Sequence, residues 1–155
     1  MEFLQSAWTL FINNWEVFLR GAYTALLLAI IGTIIGALIG FFIGIMHTIP
    51  QRTKSFKNVL LKIFNFLLTA YVEIFRGTPM MVQAMVVFYG LVYLGFDIDR
   101  FLAASIVISL NTGAYMAEYV RGGIVSIDKG QFEAAQAIGM NHLQTMLFVV
   151  IPQVG

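Results

Sequence analysis

Between Ala22 and Met46 the chain carries no charged residue. At about 1.5 Å per residue this apolar run reaches roughly 37 Å as a helix, enough to cross a hydrocarbon core of about 30 Å with some tilt. A secretory leader has an apolar region of only about 7–15 residues, so the run reads as a retained span. Gly32, Gly36, Gly40 and Gly44 recur along it at every fourth position. They fall on one helix face and leave a flat groove where another helix can approach closely. Helix packing is the first reading of that face, and lining of a substrate path is the second. Upstream, Met1–Arg20 mixes Trp8, Phe11, Trp15 and Phe18 with Asn13, Asn14 and Glu16. That mixture predicts an amphipathic segment at the level of the lipid headgroups.

The stretch Asn58–Leu94 is too long for one simple span. Its polar residues Asn58, Lys62, Asn65, Thr69, Glu73 and Arg76 fall at steps of three and four, a single stripe on an otherwise apolar helix. Gly77-Thr78-Pro79 then interrupts the pattern, because proline removes a backbone donor and biases the residue before it away from helix. A second apolar stretch, Met80–Leu94, completes a broken or kinked element. Gly95–Arg100 reads as a turn and Phe101–Val120 as the next span, ended by Arg121-Gly122-Gly123. Ile124–Gln144 is a more polar helical stretch. Thr145–Ile151 opens an apolar run too short to span, so we expect the polypeptide to continue with at least one further span. The predicted architecture for 1–155 is a single all-α integral membrane domain of three spans, with an amphipathic segment over 1–20 and a polar helical segment over 124–144.

Composition agrees with a lipid solvent. Of 155 residues 59% are hydrophobic and 11% charged, whereas soluble domains carry about 25% charged residues. A net charge of +1 offers no broad basic field for nucleic acid. Cysteine is absent, which excludes thiolate metal sites and disulfides, and His47 and His142 are too few and too far apart for a metal cluster. No phosphate-binding G-x-x-x-x-G-K-[ST] loop occurs, so any ATP chemistry belongs to another subunit. His47–Lys62 holds Arg52, Lys54, Lys57 and Lys62 with no acid, which places it on the cytoplasmic side. The first span then runs from outside to inside, Gly95–Arg100 is external, and Ile124–Gln144 is cytoplasmic.

Charge at the centre of a membrane helix costs about 2.5–3.5 kcal/mol on insertion scales. Glu73, Arg76, Asn111 and Glu118 lie in or beside apolar stretches, so they are expected to face a bundle interior or wet cavity. An α-amino acid is a zwitterion whose carboxylate seeks a cation or a helix N-terminus. Arg76, beside the helix restart at Pro79, fits a carboxylate anchor; it equally fits a structural i, i+3 pair with Glu73. Asn111 and Thr112 fit either a substrate path or interhelical hydrogen bonds. Glu118 is placed near the cytoplasmic end, within reach of Arg121.

Three motifs give this pattern a family. Glu133-Ala134-Ala135, Gly139, Val149, Ile151 and Pro152 resemble the E-A-A, G, I-x-L-P loop of ABC importer membrane subunits, with Val149 and Ile151 as apolar departures. The small alanines allow a helix to seat closely in a partner's cleft, Gly139 allows a sharp turn, and Glu133, placed near the helix start, suits the helix dipole. Phe75–Gln83 resembles the R-G-T-P-x-x-V-Q signature of the polar amino acid branch, and Asn111–Ile124 its G-A-Y-x-A-E-x-x-R-G-G-I pattern.

The resemblance implies a type I ABC importer transmembrane domain with about five spans when complete, from the histidine, glutamate, glutamine and arginine uptake permeases. It implies a multi-pass protein of the bacterial inner membrane that is not itself an enzyme. Arg76, Thr78, Gln83, Asn111, Thr112 and Glu118 would line the substrate path. Glu133, Ala134, Ala135 and Gly139 would couple to the ATPase. The implied partners are an ABC ATPase, a second permease copy or paralogue, an extracytoplasmic amino-acid-binding protein and membrane lipid. The chain itself would bind no cofactor, ATP and Mg being used by the ATPase. An ion-coupled secondary transporter is the competing class, but it has no use for a docking loop.

Overall fold

The computed structural model describes residues 2–48 and 56–154, with the side chains of 56–58 excepted. Arg52 and Lys54 of the predicted basic loop, and the side chain of Lys57, therefore lie outside the described residues. The elements are α1 (Glu2–Asn13), α2 (Trp15–Met46), α3 (Phe56–Gly77), α4 (Met80–Tyr93), α5 (Arg100–Ser126), α6 (Lys129–Ala137) and α7 (His142–Thr145). A π-helical turn over Met146–Val150 and a 3₁₀ turn over Ile151–Gln153 continue from α7. No strand occurs among the described residues.

Two helices, α2 and α5, are long and apolar enough to cross a membrane; α4, at 14 residues, is apolar but shorter. The predicted boundary at Arg20 shifts. The chain bends at Asn14, whose side-chain amide donates to the carbonyl of Leu10 at 2.9 Å, and Trp15–Arg20 joins the helix that carries the apolar run. Trp8 stacks on Phe11 within α1, ring centroids 6.1 Å apart, and Phe11 meets Phe18 across the bend in a tilted contact at 5.3 Å.

The centre of the molecule is the pairing of α2 with α5. Gly32, Gly36, Gly40 and Gly44 meet Ile108, Thr112, Met116 and Val120 in turn. The offset along the chain is constant, so the two helices run parallel. The receiving face of α5 is itself a row of small residues at steps of four: Ser105, Ser109, Gly113 and Ala117, all buried. Both serine hydroxyls donate to carbonyls one turn back, Ser105 to Phe101 at 2.8 Å and Ser109 to Ser105 at 2.7 Å, so neither is buried unsatisfied. Two rows of small side chains let the backbones close to within van der Waals reach, the geometry that packing in lipid depends on.

Apolar packing then adds the other elements. Val72 of α3 packs with Ile43 and Ala117. Val120 and Ile124 of α5 pack with Met146 and Val150. That second cluster explains why α5 does not end at Arg121-Gly122-Gly123. Each glycine costs roughly 1 kcal/mol in a helix interior, but Ile124 stands one turn beyond Val120 on the buried face and holds the helix through to Ser126. Gly123 has its own purpose, since any Cβ there would lie 2.5 Å from Val154 Cγ1. The π turn has a similar local cause. Pro152 cannot donate to a carbonyl in the preceding turn and its ring crowds that turn, which widens it. Gln153 Nε2 donates instead to the Val149 carbonyl at 2.7 Å.

Candidate functional site

The interruption between α3 and α4 is where polar chemistry gathers. Pro79 takes the N-cap position of α4 with extended backbone (φ −62°, ψ 131°), and its carbonyl accepts from the amides of Val82 and Gln83 at 3.0 and 3.2 Å. Helix termini leave carbonyls without intrahelical partners, and side chains meet them here. Thr78 Oγ1 donates to Ile74 O at 2.7 Å. Gln83 Nε2 reaches back across the break to Phe75 O (2.9 Å), Thr78 O (3.0 Å) and Thr78 Oγ1 (2.8 Å). Asn111 on α5 donates to Phe75 O at 3.2 Å and to Gln83 Oε1 at 3.1 Å. One amide from α4 and one from α5 thus fasten the broken element. Tyr71, a turn earlier, donates to Leu110 O at 2.5 Å beside Gly113.

A charge cluster adjoins the break. Arg76 Nη1 lies 3.5 Å from Glu118 Oε2, and its guanidinium sits 5.7 Å from the centroid of the Tyr115 ring. Arg121 Nε donates to Glu118 Oε1 at 2.8 Å, with a second contact from Nη2. The i, i+3 pair of Glu73 with Arg76 is not formed. Arg76 stands in the last turn of α3, where its side chain crosses to α5, while Glu73 stays exposed. Glu118 accordingly has two cationic partners rather than Arg121 alone.

Of the predicted path residues, Arg76, Thr78, Gln83, Asn111 and Glu118 come together around the break. Thr112 does not. It faces α2, where a Cβ at Gly36 would come within 2.6 Å of its own Cβ. Two residues that sequence reasoning passed over belong beside the cluster. Tyr115 is one, by its position over Arg76. His47, the C-cap of α2, is the other: its Nε2 is buried and finds no hydrogen-bond partner among the described residues. Burial lowers its pKa below the usual 6.5, and the nearby Arg121 charge adds to that, against an opposing pull from Glu118. A lone histidine at the end of a glycine-rich span gives no sequence signal for this.

The polar segment 124–144 is not one helix. Ile127 and Asp128 separate α5 from α6, because the Asp128 carboxylate accepts from the Gly130 amide at 2.7 Å and starts a new helix. Glu133 therefore sits in the middle of α6, exposed, and not near its start; Asp128 holds the place at the positive end of the dipole. Ala134 is exposed and Ala135 buried. Gly139 follows α6 at φ +82°, with its amide on Gln136 O at 3.0 Å and the Met140 amide on Ala135 O at 3.0 Å. These two bonds are the reversal that lets a left-handed residue end a helix. Asn141 and Gln144 then cap α7 reciprocally, each side-chain oxygen 2.9 Å from the other residue's amide nitrogen.

Two long apolar helices locked face to face, a broken helix with charge at its interruption, and a short capped helix beyond them define an all-helical membrane domain of the type I ABC importer kind. A crystal structure described as an amino acid ABC transporter with histidines superposes with a TM-score of 0.77 at 34% identity, over 92% of this chain and 62% of that one. The MetNI methionine ABC transporter in inward-facing conformations shares the fold, with a TM-score of 0.71 at 21% identity over 92% of this chain and 64% of that one. The chain belongs to the family described as binding-protein-dependent transport system inner membrane component, which matches residues 55–154.

Among its relatives is the arginine transport system permease protein ArtQ of Bacillus subtilis, 49% identical over 84 residues, or 54% of this chain and 38% of ArtQ. Another is the probable glutamine ABC transporter permease protein GlnM of the same organism, 30% identical over 145 residues, or 94% of this chain and 62% of GlnM. The chain thus spans less than two thirds of the length of either relative.

Proposed function

We propose that the complete protein is the membrane subunit of a bacterial ATP-driven importer for a polar amino acid. In this reading it forms the translocation path, and a separate ATPase drives it. The observation that carries the reading is the fastened break. An apolar element stops about 21 Å from the far end of α4 at 1.5 Å per residue, and there Arg76, Gln83, Asn111 and Glu118 converge. Charge at such a depth is costly, and where it occurs it is paired and faces a bundle interior or a wet path. A zwitterion finds there a guanidinium and a helix restart at Pro79.

Family membership and the arginine and glutamine permeases among the relatives support an amino acid as cargo. The short α6, with Glu133 and Ala134 exposed, Ala135 packed inward and the turn at Gly139, is the segment suited to dock on the ATPase. A second permease, an extracytoplasmic binding protein and about five spans complete the proposed assembly. ATP and Mg would be bound by the ATPase.

The test is reconstitution of the full permease with its ATPase and binding protein in proteoliposomes. Labelled L-arginine and L-glutamine should accumulate only with ATP. Uptake driven by an ion gradient without ATP would place the protein among secondary transporters instead.

A further inference from the structure

The charge cluster divides one carboxylate between two guanidinium groups unequally. Arg121, three residues along the same helix, holds Glu118 Oε1 through Nε at 2.8 Å and through Nη2. Arg76, arriving from α3, makes a single long contact of 3.5 Å to Oε2, with the two side chains 41% and 29% exposed. Charge-assisted hydrogen bonds run at about 2.7–2.9 Å, so the Arg76 contact is the weaker of the two. If Arg76 left, Glu118 would stay neutralised by Arg121. Arg76 in turn keeps the face of Tyr115, 5.7 Å from the ring centroid, as an alternative resting place. Two cations against one anion leave the cluster one positive charge in excess. Glu73, one turn back on α3, forms no ion pair among the described residues and so does not cancel it.

We infer that Glu118 is a positioning residue acting through a replaceable latch. It holds Arg76 across the gap between α3 and α5 at rest, and the carboxylate of an incoming amino acid takes Arg76 from it while Arg121 retains Glu118. The inference rests on the amino acid reading above and adds to it which contact must break. Arg76 is the last charged residue before the interruption, and the same end of α3 is tied to α5 by Asn111 on the Phe75 carbonyl. Release of Arg76 therefore leaves one amide, rather than an amide and an ion pair, between the end of α3 and α5. Substrate capture would loosen the broken element in the same act.

The latch makes a prediction of opposite signs. Glu118→Gln removes the competitor for Arg76, so the KM for L-arginine and L-glutamine uptake should fall about threefold, the size expected for one partly exposed ion pair. Arg121→Gln leaves Glu118 to Arg76 alone, so KM should rise by a similar factor. Glu118→Asp, which keeps the charge but shortens the reach to α3, should lower KM as the glutamine variant does and guards against failure of that variant to insert. The α-amide of L-glutamine, lacking the carboxylate, should compete equally well in all variants. The assay is ATP-dependent uptake by the complete transporter in proteoliposomes. A merely structural role would lower the maximal rate in all three variants without splitting KM, and KM moving in one direction throughout, or not at all, overturns the latch. Absence of ATP-dependent uptake of either amino acid by the wild-type complex would instead overturn the underlying reading.

Discussion

Gly40 and Gly21 occupy the same helix and should answer the same substitution in opposite ways. A Cβ at Gly40 would lie 2.6 Å from the Gly113 carbonyl and 2.7 Å from the Ala117 amide, both backbone atoms that cannot swing aside. Gly40→Ala should therefore cost about 1–3 kcal/mol by overpacking. At Gly21 nothing lies within 4 Å, so Gly21→Ala should stabilise by up to about 1 kcal/mol through helix propensity. Thermal unfolding of the two variants in detergent reads both signs. His47 offers a second test. Its folded pKa lies below 6.5 because burial and Arg121 disfavour the imidazolium. Below pH 6.5 the unfolded chain takes up a proton that the folded one resists, so stability should fall with pH there and level off below the folded pKa. A His47→Gln variant should lose that component of the slope in melts between pH 5 and 8. The every-fourth glycine row was visible in the sequence because the spacing is periodic. The lowered pKa of His47 was not, because it depends on burial in the fold and on the charge of Arg121, 74 positions away.

At the scale of elements, the broken helix was readable and the polar segment only half so. Gly77-Thr78-Pro79 announces its interruption through local chemistry alone, and α3 does stop at Gly77 and α4 restart at Met80. Asp128 announces a cap as well, but the glycine pair at Arg121-Gly122-Gly123 drew the boundary to itself. Only the burial of Ile124 against Met146 and Val150 shows why the helix runs on. The row Ser105, Ser109, Gly113, Ala117 does not stand out in the sequence, because serine and alanine are common enough to hide a period of four. For α6 the prediction separates folding from coupling. Glu133 is exposed, so Glu133→Lys should leave insertion and yield unchanged while abolishing ATPase pull-down and uptake. Gly139→Val should disturb the end of α6 itself, since a branched residue at φ +82° is strained by roughly 1–3 kcal/mol. If Glu133→Lys keeps both ATPase binding and uptake, α6 is not the coupling element.

At the scale of the whole molecule, the proposed orientation places Lys54 and Asp97 on opposite sides of the membrane. Single cysteines at these positions should label from opposite sides with an impermeant reagent, and labelling from one side would overturn the topology. The hydrophobic pattern alone reveals which segments seek lipid, since that depends on each segment by itself. Which segment embraces which is another matter, because it is written in pairs of positions far apart. The parallel pairing of α2 and α5 is the clearest instance, and it bears on biosynthesis. Gly32, Gly36, Gly40 and Gly44 each wait for a partner 76 residues later in the chain. At a synthesis rate of about 5–20 residues per second, that interval lasts roughly 4–15 s. For those seconds the glycine face stands in the bilayer without its mate, open to any other helix with a row of small residues. An accessory protein that shields α2 during translation, or a pause that hastens the arrival of α5, would act on this interval and on no contact of the finished fold.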